Sequence, residues 1–108
     1  MTMYQTGPTK YANINESTAA SNEIVAAVSG KKIRILAMMV IAAGDVNLTV
    51  EDEDGNDLIG LCEIAEAGGF VLPLNEAGWQ EAPAGKALHL LSSAAVQVGG
   101  CITYQEVN

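Results

Sequence analysis

Aromatic rings and positive charge are what this 108-residue chain has least of. It holds one Phe, one Trp, three Tyr and a single His, with 5 Lys and Arg against 13 Asp and Glu. The resulting net charge of -8 opposes nucleic-acid phosphates and the anionic face of a membrane, so neither is expected as a direct partner. The scarcity of rings leaves Ala, Val, Leu, Ile and Met to fill the core, and small side chains bury little area each. At ~25 cal/mol per Å² of apolar surface, such a core gains only modestly from folding alone, which favours an oligomer. The length suits one domain and leaves no room for a separate catalytic lobe.

Long hydrophobic runs are missing as well. The longest, Ile33 to Ala43, is interrupted by Arg34 and closed by Gly44-Asp45, too short to span a bilayer. No basic, then apolar, then small-residue pattern opens the chain, so synthesis in a cytosol without a signal peptide is expected. The two cysteines, Cys62 and Cys101, lie far apart and outside any CxxC arrangement. A disulfide or a metal pair is one reading; two small buried hydrophobes in strands, both reduced, is the expected one.

Motifs for catalysis are equally scarce. Gly68-Gly69 and Gly99-Gly100 lack the GxGxxG or GxxxxGK[ST] context of a phosphate loop, and no cofactor is expected. His89 lies between Leu88 and Leu90 with no Ser or Cys motif around it. A catalytic triad would need partners scattered along the chain, so a surface or interface histidine is expected, and no enzyme.

What the chain does have is short apolar runs divided by turn residues. Tyr11–Asn15, Glu23–Val28, Lys31–Ala43, Val46–Glu51, Leu58–Ile64, Phe70–Leu72, Ala87–Leu91 and Val96–Tyr104 read as strands. Val46, Leu48 and Val50 alternate cleanly with Asn47, Thr49 and Glu51, the clearest amphipathic strand. A helix competes for Lys31–Ala43, but Gly30, Gly44-Asp45 and the β-branched Ile33, Ile35, Val40 and Ile41 favour a strand. Asp54-Gly55 marks a hairpin, and Gly99-Gly100 marks a bulge or a close backbone approach. The expectation is an all-β fold: a single-domain antiparallel β-sandwich or jelly roll of about eight strands, spanning residues 11–108. Residues 1–10 form an extended N-terminal arm that, with Tyr4, contacts a neighbour.

Four further features invite a function. The acidic run Glu51 to Asp57 offers Asp52, Asp54 and Asp57 as oxygen ligands for Ca²⁺. It lacks the Gly and Glu placement of an EF-hand loop, and a solvated hairpin tip is the expected reading. Trp79, after Gly78, could stack on a sugar, but capping the sandwich or filling an interface is preferred in so ring-poor a domain. Lys31, Lys32 and Arg34 could pair with an acidic neighbour across an interface, or form a solvated strand start. His89 completes the interface candidates.

Gly68-Gly69-Phe70-Val71-Leu72-Pro73-Leu74-Asn75, Gly78-Trp79, Gly85-Lys86-Ala87-Leu88-His89-Leu90, Ala95 to Gly100 and Thr103-Tyr104 form a pattern that resembles small β-rich virion proteins of tailed bacteriophages. Gly30 to Leu36 matches the opening of their long strand, so the likeness covers roughly Ser29 to Val107. Proteins of this kind look like capsid decoration or cement proteins, and some are fibre or tail components. The resemblance implies a homotrimer on the outer capsid surface that bridges major capsid protein subunits, with the N-terminal arm reaching the shell. From the motifs, no cofactor is expected, and Ca²⁺ at Asp52, Asp54 and Asp57 is only the lesser reading. The alternatives are a phage fibre or tail component, or a carbohydrate-binding host-recognition module using Trp79 and the acidic loop.

Overall fold

A computed structural model describes residues 7–108, and each of the eight apolar runs becomes a strand. The strands are β1 (Lys10–Glu16), β2 (Ser21–Val25), β3 (Lys32–Ala42), β4 (Val46–Asp52), β5 (Asp57–Ile64), β6 (Gly69–Leu72), β7 (Glu81–Ala82), β8 (Leu88–Ser92) and β9 (Val98–Val107). The domain's first strand starts at Lys10, one residue inside the expected arm; Tyr4 and the rest of residues 1–6 lie outside the described residues. The ninth strand, β7, is a two-residue addition with no apolar pattern of its own. The strand reading of Lys31–Ala43 holds over eleven residues.

The strands form two antiparallel sheets. Sheet A has the order β1-β9-β3-β6, with β7 also pairing β3, and sheet B has the order β2-β8-β4-β5. Setting β7 aside, the chain is one long hairpin rolled around a core: β1 pairs β9, β2 pairs β8, β3 pairs β6 and β4 pairs β5. Rolling then brings β3 beside β9 and β4 beside β8. This is the jelly-roll arrangement of a β-sandwich.

Alternation places the core between the sheets. Ile33, Ile35, Val40 and Ile102 from sheet A meet Leu48, Val50, Leu88 and Leu90 from sheet B, all essentially inaccessible to solvent. Aliphatic side chains therefore fill the centre, as the lack of rings requires. The single Phe70 and Tyr104 pack only at the margin, partly buried.

Two glycines let β3 sit close to both neighbours. A Cβ on Gly100 of β9 would lie 1.9 Å from the Met39 carbonyl oxygen, and one on Gly69 of β6 would lie 1.8 Å from the Val40 carbonyl oxygen. The Gly99-Gly100 pair is thus a site of close backbone approach. Both glycines grip the same short stretch of β3 from opposite sides.

Candidate interaction surface

The outward positions of β3 follow from the period of two along a strand. Ala37, Met39 and Ile41 alternate with the buried Met38, Val40 and Ala42 and so point away from the core. Register places Asn13, Cys101, Met39 and Val71 in one row across sheet A, with Asn15, Gly99, Ile41 and Gly69 in the next. Val71 is 69% exposed and Ile41 52%, and Tyr11, in the adjoining row with Thr103 and Ala37, is 75% exposed. Between β3, β6, β9 and the chain after β6 lies a shallow apolar groove of about 220 Å³, lined by Met39, Val71, Leu74 and Cys101 among others. Cys101 is therefore an exposed thiol on this face and not a buried hydrophobe; its strand position, opposite in phase to the buried Ile102, turns it outward. Cys62, half-buried in β5, is also a free thiol.

The other half of the same outer face is covered by the chain itself. Between β6 and β7 the loop folds back over β3, where Asn75 N–H donates to Leu36 O and Trp79 N–H donates to Ile35 O. Ile35 N–H donates in turn to Gln80 O. Beneath this loop lies Arg34, whose Nε donates to Glu81 Oε2 at 2.6 Å. Gly78 is necessary here, since a Cβ would fall 2.5 Å from Arg34 Cγ. Trp79 braces the loop by donating from Nε1 to Pro73 O at 2.8 Å, leaving its ring 41% exposed. The structure thus separates the cationic trio. Arg34 is only 6% exposed and pairs within its own chain because its register partner on β7 is Glu81. Lys31 donates through Nζ to Asn108 Oδ1, and Lys32 is half-buried at the start of β3.

The acidic loop is more ordered than a solvated tip. Asp52 is 1% exposed because its register with Leu88 turns it inward at the end of β4. A buried carboxylate requires donors. Oδ1 accepts from the backbone N–H groups of Asp54 (2.9 Å) and Asn56 (3.0 Å), and Oδ2 accepts from Asn56 Nδ2 (3.0 Å). Of the three proposed calcium ligands, Asp52 is thus spent on its own turn and Asp54 pairs with Lys86 Nζ at 3.1 Å, while Asp57 is exposed on β5. Among the described residues no group of three or more His, Cys, Asp or Glu side chains is placed to hold a metal ion.

Hydrogen bonds from Asn56, first through its backbone and then through its side chain, hold the Asp52 carboxyl below the usual carboxylate range. The Asp54 side chain beside Lys86 raises the Lys86 ammonium above its usual range. Because the folded Asp52 value is depressed, its contribution to stability is complete above the unfolded value of about 3.9 and is lost as pH falls through the folded value. Thermal melts between pH 7 and pH 2 should show this loss. In Asp52→Ala the melting temperature should be lower at pH 7, and the acid limb flatter.

His89 is half-buried on the outer face of sheet B, in a row with Glu23 of β2 and Glu51 of β4. Ser21 Oγ donates to Glu51 Oε2 at 2.5 Å and lies 2.9 Å from His89 Nδ1. Its one proton goes to the carboxylate, so the imidazole donates from Nδ1 to the hydroxyl. A serine relay needs the imidazole between acid and hydroxyl; here the hydroxyl is in the middle, and the cluster ties β2, β8 and β4 together. Ser21 and Glu51 could not be chosen as partners of His89 from sequence, because only strand register brings the three together.

No protein-family model, curated protein or solved structure matches this chain. The geometry of its own faces carries the functional reading. One outer face carries Glu23, Glu51 and His89, the last two cross-linked through Ser21 by hydrogen bonds, beside the exposed Leu61 and Leu91; the other is half covered by the chain and half open and uncharged, with Met39, Ile41 and Val71 exposed.

Proposed function

We propose that this chain is a structural virion protein of a tailed bacteriophage. In this reading it is a capsid decoration or cement protein, made in the host cytoplasm and carried as a homotrimer on the outer capsid surface. It bridges major capsid protein subunits, and the N-terminal arm, residues 1–10, is the proposed contact with the shell. The observation that supports this best is the unequal pair of outer faces on one small sandwich. An apolar, uncharged face on a chain of net charge -8 is suited to burial in an assembly. The jelly-roll order adds support, since capsid domains use it, as do lectins and cupins. Fold alone hosts many functions, so the surface and the sequence resemblance carry more weight.

The mechanism is linkage. A protein that binds only the assembled shell shifts the equilibrium away from disassembly, by about 2.7 kcal/mol per site at a hundredfold excess over Kd. Cryo-electron microscopy of the virion that contains this chain should show its density at repeated positions on the outer shell. Stripped particles should disassemble at a lower temperature and recover when the purified protein is added back. Density confined to the tail, or no change in shell stability on stripping, would overturn the reading.

A further inference from the structure

We infer that the open half of the outer face of sheet A is where copies of this chain pack on one another, three around an axis. The inference rests on the homotrimer of the reading above and assigns it a surface. Its first support is charge. Every outward position of β1, β9, β3 and β6 between the row of Tyr11 and the row of Asn15 is uncharged, although acidic residues outnumber basic ones 13 to 5 in the whole chain. Copies of so acidic a molecule repel one another over most orientations. Approach through this face brings no two carboxylates together, and a basic partner would find nothing there to bind.

The second support is that the fold already covers the other half of this face. The loop from β6 to β7 bonds along the edge of β3 at Ile35 and Leu36 and lays Gly78 against Arg34, and the outward Arg34 and Leu36 are buried while Met39 and Ile41 are exposed. The uncovered half has the same strands and the same outward phase, but no described residue covers it.

The third support is size. Four strands at ~4.8 Å spacing make a face ~19 Å wide, and three such faces set as the sides of a triangular prism would each lie ~5.5 Å from the axis, close to half the ~10 Å between stacked sheets. Side chains from three copies would fill that interior without a void. Exposure rises from Met39 at 38% near the middle of the face to Val71 at 69% and Tyr11 at 75% on its two edge strands. Those edges are where neighbouring copies meet in a prism. A face about 15 Å long, the span of five strand residues, gives roughly 850 Å² over all three copies, below the standard size of a specific interface, so self-association is expected to be weak, with dissociation in roughly the tens of micromolar.

Light scattering on the isolated chain at about 100 µM, above the expected dissociation constant, should give three times the 11.2 kDa monomer mass. Ile41→Lys and Val71→Lys change exposed side chains and should leave the circular-dichroism spectrum and melting cooperativity intact while giving monomers. Leu61→Lys, on an exposed position of β5 in the other sheet, should stay trimeric. Maleimide labelling of Cys101 should be slowed roughly tenfold or more in the wild-type protein relative to Ile41→Lys, as expected for a site that opens only on dissociation. Cys101→Ser identifies the signal against that of Cys62. A trimer that both lysine variants leave intact, with Cys101 freely labelled, would overturn the surface and leave the homotrimer standing. A dimer would overturn the threefold arrangement. A monomer at this concentration would overturn self-association altogether, while shell decoration would still be decided by the virion density.

Discussion

Gly100→Ala should destabilise the domain by about 3 kcal/mol or more, a large share of the stability of a small domain. The reason is distance. The added Cβ would fall 1.9 Å from the Met39 carbonyl oxygen and 2.8 Å from its carbonyl carbon, and both are backbone atoms that no rotamer change can move. Relief requires β9 to move away from β3, and this pair has the longest register in the molecule, from Lys32↔Val107 to Ala42↔Val98. Gly69→Ala should behave alike, with its Cβ 1.8 Å from Val40 O on the other side of β3. Gly60→Ala is the matched control. It too is a strand glycine, but its Cβ would meet nothing within 4 Å, so the change should stay within about 0.5 kcal/mol. Urea titrations of the three variants check the contrast. A Gly100→Ala protein as stable as Gly60→Ala would show that the two strands are not held this close.

Much of this architecture was legible in the sequence because strands are local. Val46 to Glu51 announces its two faces residue by residue, and Asp54-Gly55 announces the turn that joins β4 to β5. Pairing between distant strands is not local. Lys10 lies opposite Tyr104 and Ser21 opposite Leu91, and nothing in either segment names the other. The glycine pair at 99–100 signalled a close approach without saying to what; β3 supplies the answer. β7 leaves no signal in the sequence because two residues cannot show a period. Asp52 is hidden for a related reason: in an acidic run it looks like any tip carboxylate, and only the register with Leu88 reveals that it faces inward. Arg34 looked available to a neighbour until β7 brought Glu81 beside it. The Ser21–His89–Glu51 cluster spans three strands and has no sequence signature.

Leu90→Ala should cost about 2–5 kcal/mol, a large share of the about 5–15 kcal/mol that holds a domain of this kind together. Leu90 lies on β8, the second strand of sheet B, opposite Asn22 on one side and Val50 on the other, with no solvent exposure. Its inward phase places it in the layer where the two sheets meet. In a core rich in large rings, neighbours could turn to fill part of the space left by the lost atoms. Here the core cluster is Ile, Val, Leu and Ala with one Met, Met38, and the β-branched side chains have little freedom at χ1. The cavity should therefore stay largely open, which favours the upper part of that range. Leu61→Ala removes the same atoms from a side chain 61% exposed and should change stability by no more than about 0.5 kcal/mol. Chemical denaturation at a protein concentration low enough to hold both variants monomeric separates core packing from any contact between copies. Equal losses at the two positions would mean that the sheets do not close on Leu90. A large loss at Leu90 alone would place the stability of the chain in the aliphatic layer between the sheets, leaving the exposed face of sheet A free to be used in assembly.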